Sequence, residues 1–510
     1  MNKAVESLLA RAVQAHQAGK ISAARVQYQQ VLRQAPQHPV ALNLLGVTHL
    51  QEGETEKGLG FIDRALSFTP RYAEAWCNRS AALKALGRHL DAAEAAQKAL
   101  ALNPEYPEAL NNLGAALHEL RRYGEAAEAC RRAVALRPGY VDAWSNLGSA
   151  CKALRRYPEA EAAYARAIAL QPSFADAHHN LGAVLEETNR HDAALASYER
   201  ALAAQPGHVE AAWSRGLLFL SQGRLEEGWR IYERRWERKK IRPLHPSPWP
   251  LWLGETPLEG KRLLIQYEQG FGDFFQMARY FPQLQARGAR CFLQVPEPLR
   301  ALAARNFPEM ELLGPRENPP EADCRIPFMS LPRAFGGIPA ATPYLAADPA
   351  KAAAWRARLG EGDFPRVGLV WRGNPEHAND HNRSARLADF LPLLARPDVQ
   401  CVVLQKDLAP EEAALLARYG NVAAAGPHLA DFDDTAAVIS LLDRVISIDS
   451  AVAHLAGALG RPLSLLLPFS ADWRWGIGRA ETPWYPAARL FRQGAPGQWN
   501  GPVAAAAAGS

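Results

Sequence analysis

The chain is poor in cysteine. Six are scattered through 510 residues, at Cys77, Cys130, Cys151, Cys291, Cys324 and Cys401, and none forms a C-x-x-C pair. That indicates neither a disulfide framework nor a cysteine zinc site and fits a reducing compartment. No stretch approaches the roughly 18–20 uninterrupted apolar residues that span a bilayer. The opening MNKAVESLLARAVQAHQ meets charge again at Arg11, too early for a secretory segment. A cytoplasmic protein with no transmembrane segment is expected. An excess of one charge is also missing: 58 Lys plus Arg against 53 Asp plus Glu leaves +5, which does not indicate a nucleic-acid partner. Hydrophobic residues at 48% and charged residues at 22% exclude a mainly disordered chain. The length suggests about three to four domains.

What is present first is a repeat. Pro36, Pro70, Pro104, Pro138, Pro172 and Pro206 are each 34 residues apart, the period of tetratricopeptide helix pairs. Small residues keep the same spacing at Gly46, Ser80, Gly114, Gly148, Gly182 and Gly216, and again at Ala65, Ala99, Ala133, Ala167 and Ala201. Large residues such as Trp76, Trp144, Tyr164 and Tyr198 fill complementary slots. Small residues let paired helices approach, an aromatic fills the wedge beside them, and proline ends the second helix. One such pair cannot bury its own apolar face, so neighbours stack into a superhelix. Six repeats and a capping pair near Val209 are expected over residues 1–240. The last pair loses the pattern, with Arg235 where the others have Ala or Val.

One repeat position is polar. Asn78, Asn112, Asn146 and Asn180 recur on the first helix of each pair, where a ladder of amides suits the backbone of an extended peptide. Local hydrogen bonding is the plainer alternative. The array reads as a protein-binding module.

A junction follows. Arg230, Arg234, Arg235, Arg238, Lys239, Lys240 and Arg242 stand against Glu233 and Glu237. This is either a solvated helix face or a docking face. Pro243, Pro246, Pro248, Pro250 and Pro257 then exclude helix or central strand. Trp249 and Trp252 suggest a pinned linker over residues 241–260.

The second half alternates strands and helices. Arg262–Tyr267 is a short apolar run before Gly270-Phe271-Gly272-Asp273, a helix, and a second strand (CFLQV). A second series starts at Arg366 and continues through CVVLQ, RVISI and PLSLLL, with Pro339–Pro365 between as a linker plus one helix. The expected architecture is an α-solenoid followed by an α/β domain of two Rossmann-like lobes, resembling the GT-B arrangement. The lobes are placed at 261–345 and 346–500, and the alanine-rich residues 501–510 are expected to be a disordered tail. Ligands in such sheets sit beyond the carboxyl ends of the strands, where three motifs fall. The glycines at 270 and 272 admit a close backbone approach, and Asp273 reads as an N-cap or a general base. Trp371-Arg372-Gly373-Asn374-Pro375 leads to His377, Asn379, Asp380, Asn382, Arg383 and Ser384, with Arg372 and Arg383 as phosphate clamps. Asp449-Ser450-Ala451 opens a small-residue helix containing His454, a position suited to phosphate or simply to capping. Lys406 follows the next strand and joins the donor-binding candidates. Trp473 and Trp475 either wall a pocket or pack internally. His377 and His381 lack a third ligand, and no D-x-D motif stands at a strand end, so no metal is expected.

Gly272-Asp273, with Asp449-Ser450-x-x-x-His454 before Leu-Ala-Gly-Ala-Leu-Gly-x-Pro, resembles glycosyltransferase family 9, the heptosyltransferases. Gly373-Asn374-Pro375, Asn379-Asp380, Arg383-Ser384 and the run from Pro468 to Trp475 resemble bacterial tetratricopeptide proteins with a heptosyltransferase-like domain, some of them linked to flagellin glycosylation. The layout, though not the motifs, also resembles O-linked N-acetylglucosamine transferases. The resemblance implies a metal-independent glycosyltransferase with Asp273 as base and Asp449, Ser450, Ala451 and His454 holding the donor phosphate. The family's lysine after the first strand of the second lobe has no match, and Arg372 or Arg383 stands in for it. The expected donor is a nucleotide sugar, with no other cofactor. The expected acceptor is Ser/Thr of a protein, flagellin among the candidates. A non-catalytic scaffold or export chaperone, and a glycan or lipopolysaccharide glycosyltransferase, are the alternatives.

Overall fold

The computed structural model describes residues 3–238, 246–340, 343–377 and 379–509. Lys239, Lys240, Arg242 and Pro243 lie outside the described residues. The chain divides into two compact units, Met1–His208 and Val209–Ser510.

The first unit is built of helix pairs running from Lys3–Gln17 to His191–Ala204. Each second helix stops two residues before the repeating proline, as at Gln34, Phe68, Leu102 and Leu136. The intervening residue is extended because a following proline ring disfavours the helical region: Asn103 has φ −139° and ψ 94°. The small residues act as expected. A Cβ on Gly182 would lie 2.5 Å from the ring of Tyr198, and one on Gly148 would lie 2.7 Å from Tyr164, so only glycine lets these buried rings seat. A further tie recurs with the period. Trp76 and Trp144 donate their indole N–H to the carbonyls of Pro70 and Pro138 at 2.8 and 2.9 Å, and His178 Nε2 lies 2.9 Å from the Pro172 carbonyl.

The seventh helix pair, Val209–Ser221 and Leu225–Tyr232, was expected to close the array within residues 1–240. It falls within the second compact unit. Trp229 is buried edge-on against Trp473 at 5.1 Å, and Arg235 is buried against Glu268. Within the basic run, Arg234 pairs with Glu237 and Arg238 with Glu210.

The Pro/Trp segment is fixed to the sheet. Trp252 N–H donates to the Arg325 carbonyl and Arg325 N–H to that of Pro250, each at 2.9 Å, and Trp252 is buried.

Two all-parallel sheets make up the second unit. The first holds β1 (Arg262–Gln266), β2 (Arg290–Gln294), β3 (Glu311–Leu313) and β4 (Cys324–Pro327), in the order β3-β2-β1-β4. The second holds β5 (Arg366–Val370), β6 (Gln400–Val403), β7 (Val422–Ala424), β8 (Arg444–Ile448), β9 (Leu463–Leu467) and β10 (Ala488–Arg492), in the order β10-β9-β8-β5-β6-β7. Strands such as β9 (LSLLL) are buried at every position because helices cover both faces of a parallel sheet. The expected disordered tail is a helix, Asn500–Ala508, which packs on β9 and β10. Pro502, Val503 and Ala506 share its buried face, and Arg396 and Arg444 donate to the carbonyls of Ala507 and Ala506 near its end.

Candidate functional site

Four segments meet at the carboxyl ends of β1, β5, β8 and β9. The first leaves β1 under constraint. Glu268 accepts from Arg235 at 2.9 and 3.1 Å and from Met329 N–H at 2.9 Å. Burial raises the Glu268 pKa while Arg235 opposes that rise. Gln269 then takes a left-handed backbone (φ +62°), and its side-chain amide donates to the Tyr232 hydroxyl at 2.8 Å. Such a conformation is costly for a non-glycine residue. The bonds on either side hold it there.

This bend opens the helix Phe271–Met277. Asp273 Oδ2 accepts from Gly270 N–H at 2.9 Å, the capping interaction, while Oδ1 is paired with Arg474. The Gly270 amide is thereby taken up inside the chain. Arg474, after β9, is the centre of the cluster. It donates to Gln276 Oε1 at 2.9 Å and Asp472 Oδ1 at 2.8 Å as well as to Asp273. Burial works against its charge, but Asp472 and Asp273 outweigh burial and hold its pKa above the usual arginine value.

The segment after β8 supplies Asp449, Ser450, Ala451 and His454. Ser450 caps the helix Ala451–Ala458: its Oγ accepts from Ala453 N–H at 3.4 Å and lies 3.0 Å from Ser447 Oγ. His454 Nδ1 lies 2.8 Å from the Tyr485 hydroxyl and Nε2 lies 3.7 Å from Asp449 Oδ1. The His454 ring stacks on Trp475 at 5.1 Å. Burial, then the charges of Arg474, Arg279 and Arg383, push its pKa well below the ordinary value, so it is neutral. Burial and Asp472 push Asp449 up to about 6, against the Trp475 indole N–H, Arg474 and Arg383. Asp449, Ser450 and Ala451 all retain partial exposure. From the segment after β5, Arg383 sits against Asp380 at 3.3 Å and close under Gly373.

The structure thus gathers Gly272, Asp273, Asp449, Ser450, Ala451 and His454, with Arg383 near enough to act on Asp449. Others fall elsewhere. Arg372, a candidate phosphate clamp, is held by Glu412 at 3.0 Å; Glu412 also accepts from Trp371. Asn374 forms an exposed turn, accepting from Glu376 N–H at 3.0 Å, and Lys406 is exposed after β6. Trp473 is buried among Trp229, Tyr232 and Trp484, and the Arg474 guanidinium lies 4.4 Å over its ring. The string Asp431-Phe432-Asp433 does have D-x-D spacing, but it starts a helix. Lys351 pairs with both carboxylates and Arg305 with Asp433. Arg474 was missed because its partner, Asp273, lies 201 residues away. The only local hint was a charge between two tryptophans.

In the array, the asparagine ladder bonds from repeat to repeat. Asn78 donates to Asn43 at 3.1 Å and Asn146 to Asn111 at 2.8 Å. Asn43 and Asn111 in turn donate to the hydroxyls of Tyr72 and Tyr140. Asn112 is buried and donates to the Cys77 carbonyl at 3.3 Å. Asn180 is half-buried. These bonds tie Asn78, Asn112 and Asn146 to the preceding repeat. Elsewhere in the array His49, Glu52 and Glu54 have their ligand atoms within 4.8 Å of one another, and Arg25 and Lys57 already pair with the carboxylates.

The tetratricopeptide-repeat family matches residues 9–74, 78–141, 145–207 and 184–241. Protein FlbA of Caulobacter vibrioides is 32% identical over 309 residues, covering 55% of this chain and 51% of that protein. An uncharacterized protein of Methanocaldococcus jannaschii is 39% identical over 49 residues, 10% of this chain and 57% of that one. The chain spans about half the length of the curated relatives it matches. Among solved structures, a tetratricopeptide repeat protein from Parabacteroides merdae is 19% identical over 47% of this chain and 95% of its own, with TM-score 0.40. YrrB, described as a TPR protein with an unusual peptide-binding site, is 22% identical over 37% of this chain and 97% of its own, with TM-score 0.31. No helix among the described residues is long and apolar enough to cross a membrane. The N-terminal part of this chain is a tetratricopeptide-repeat solenoid, and a C-terminal α/β region with parallel sheets follows it.

Proposed function

We propose that the chain is a glycosyltransferase, with a nucleotide sugar as donor and a protein Ser/Thr hydroxyl as acceptor, and that the repeat array binds the acceptor protein. One observation carries this reading: charged and polar side chains from four strand ends converge around Arg474, where ligands of open parallel sheets bind. The cluster supplies what the transfer needs. The helix start at Ser450–Ala451 and the Arg383 guanidinium suit a leaving phosphate. A carboxylate is present to take a proton. The array raises the local concentration of a tethered acceptor without adding chemistry. Flagellin is one acceptor consistent with the sequence resemblance.

The non-catalytic scaffold is the second reading. It is favoured by the pairing of Asp273 with Arg474 and of Arg372 with Glu412, which occupies groups a donor would use. The two separate cleanly. The full chain is incubated with a flagellin and, in turn, UDP-N-acetylglucosamine, GDP-mannose, ADP-heptose and CMP-N-acetylneuraminate, and the acceptor's intact mass is followed. A gain of one sugar residue is the expected result. Binding of the acceptor with no gain from any donor favours the scaffold.

A further inference from the structure

Two carboxylates in the cluster are candidates for the proton transfer, and their surroundings differ. Asp273 is engaged on both oxygens, one by the Gly270 N–H and the other by the Arg474 guanidinium. Those bonds fix the side chain at the start of its helix and brace Arg474 between Asp273 and Asp472. Among the described residues no lysine or arginine forms an ion pair with Asp449, although Arg474 and Arg383 act on it from further off. Its nearest basic neighbour is His454 Nε2 at 3.7 Å, on a neutral imidazole whose other nitrogen faces Tyr485. Around Asp449 stand Asp472, Arg474 and Trp475 from the turn after β9, Arg383 from the loop after β5, and His454 from its own helix. Asp449 lies one residue before the Ser450–Ala451 helix start, with its carboxylate among the side chains around Arg474.

We propose that Asp449, not Asp273, takes the acceptor's proton, and that Asp273 is a positioning residue for Arg474. This assignment rests on the transferase reading above. In the step, the acceptor O–H bond breaks and its proton moves to an Asp449 carboxylate oxygen. The hydroxyl oxygen forms a bond to the anomeric carbon. The bond from that carbon to the phosphate oxygen breaks, and its electron pair leaves with the nucleotide. Asp449 then returns the proton to water. Burial and the negative charge of Asp472 suit this role, because a carboxyl that titrates at about 6 is ionised at neutral pH and still basic enough to accept a proton.

The test uses the full chain and the four nucleotide sugars named above, with nucleotide release followed from about pH 5 to about pH 9. Wild type is expected to show an acid limb near pH 6 in kcat/KM. Asp449→Asn is expected to lose about 100-fold or more in kcat and to lose that limb. Asp273→Asn is expected to raise KM and keep the limb. A second readout needs no turnover: in chain labelled with 13C-aspartate, the carboxyl resonance absent from Asp449→Asn titrates with a midpoint near 6. A resonance with the midpoint of a free aspartate overturns the assignment. So does release by Asp449→Asn at the wild-type rate with the limb intact. If wild type consumes none of the four donors, the transferase reading itself fails and takes the assignment with it.

Discussion

Gly272 and His454 are packed so closely that a Cβ at residue 272 would lie 2.8 Å from His454 Cδ2. The missing side chain lets the helix after β1 seat on the helix after β8. The imidazole cannot give way, since Trp475 stacks on it and Tyr485 holds Nδ1. Gly272→Ala is therefore expected to cost about 1–3 kcal/mol, read as a lowered urea midpoint for the second unit.

The repeat array offers a paired comparison. Gly182→Ala drives a Cβ into the Tyr198 ring and is expected to destabilise by about 1–3 kcal/mol. Gly124 sits in the helix Tyr123–Leu136 with nothing near its absent Cβ. Gly124→Ala is expected to stabilise by about 0.5–1 kcal/mol. Denaturant midpoints of the two variants should move in opposite directions.

Arg235 ties the seventh helix pair to the bend after β1. Removing it leaves Glu268 buried without its cation. Arg235→Met is expected to cost about 3–5 kcal/mol, and the double variant with Glu268→Gln to recover part of that. Thermal melts of the two variants check it.

The pH dependence has a definite sign. Asp449 holds its proton more readily in the folded chain, so its contribution to stability is fully present below the free-carboxyl value and is lost as pH rises through about 6. Asp449→Asn removes that loss. Its stability relative to wild type should rise between about pH 4 and about pH 7, by as much as about 3 kcal/mol. His454 acts in the opposite sense. Its depressed pKa costs stability as pH falls through the ordinary histidine range. Urea titrations of Asp449→Asn and His454→Gln at both ends of the range separate the two.

The repeats were legible because proline is excluded from a helix beyond its first turn, so prolines recurring every 34 residues mark the ends of the helix pairs. Strands β1, β2, β5, β6, β8 and β9 were legible as short apolar runs, while β3, β4, β7 and β10 were not. Three further features were hidden. The Asp273–Arg474 pair joins residues whose closeness depends on how one parallel sheet faces the other, and no local pattern encodes that. Arg235 was legible as a break in the repeat and as one of a basic run, but its partner Glu268 was not, although a charge at a buried repeat position is itself the mark of a buried partner. The terminal helix was hidden by low complexity: its alanines look featureless until Val503 and Ala506 fall on one face.

The central claim is that the cluster around Arg474 binds a nucleotide. Calorimetric titration of the full chain with UDP, GDP, ADP and CMP tests it most directly. One of the four is predicted to bind at about micromolar affinity and to lose most of that affinity in Arg383→Gln. No binding by any of the four, or binding that Arg383→Gln leaves unchanged, would contradict the account.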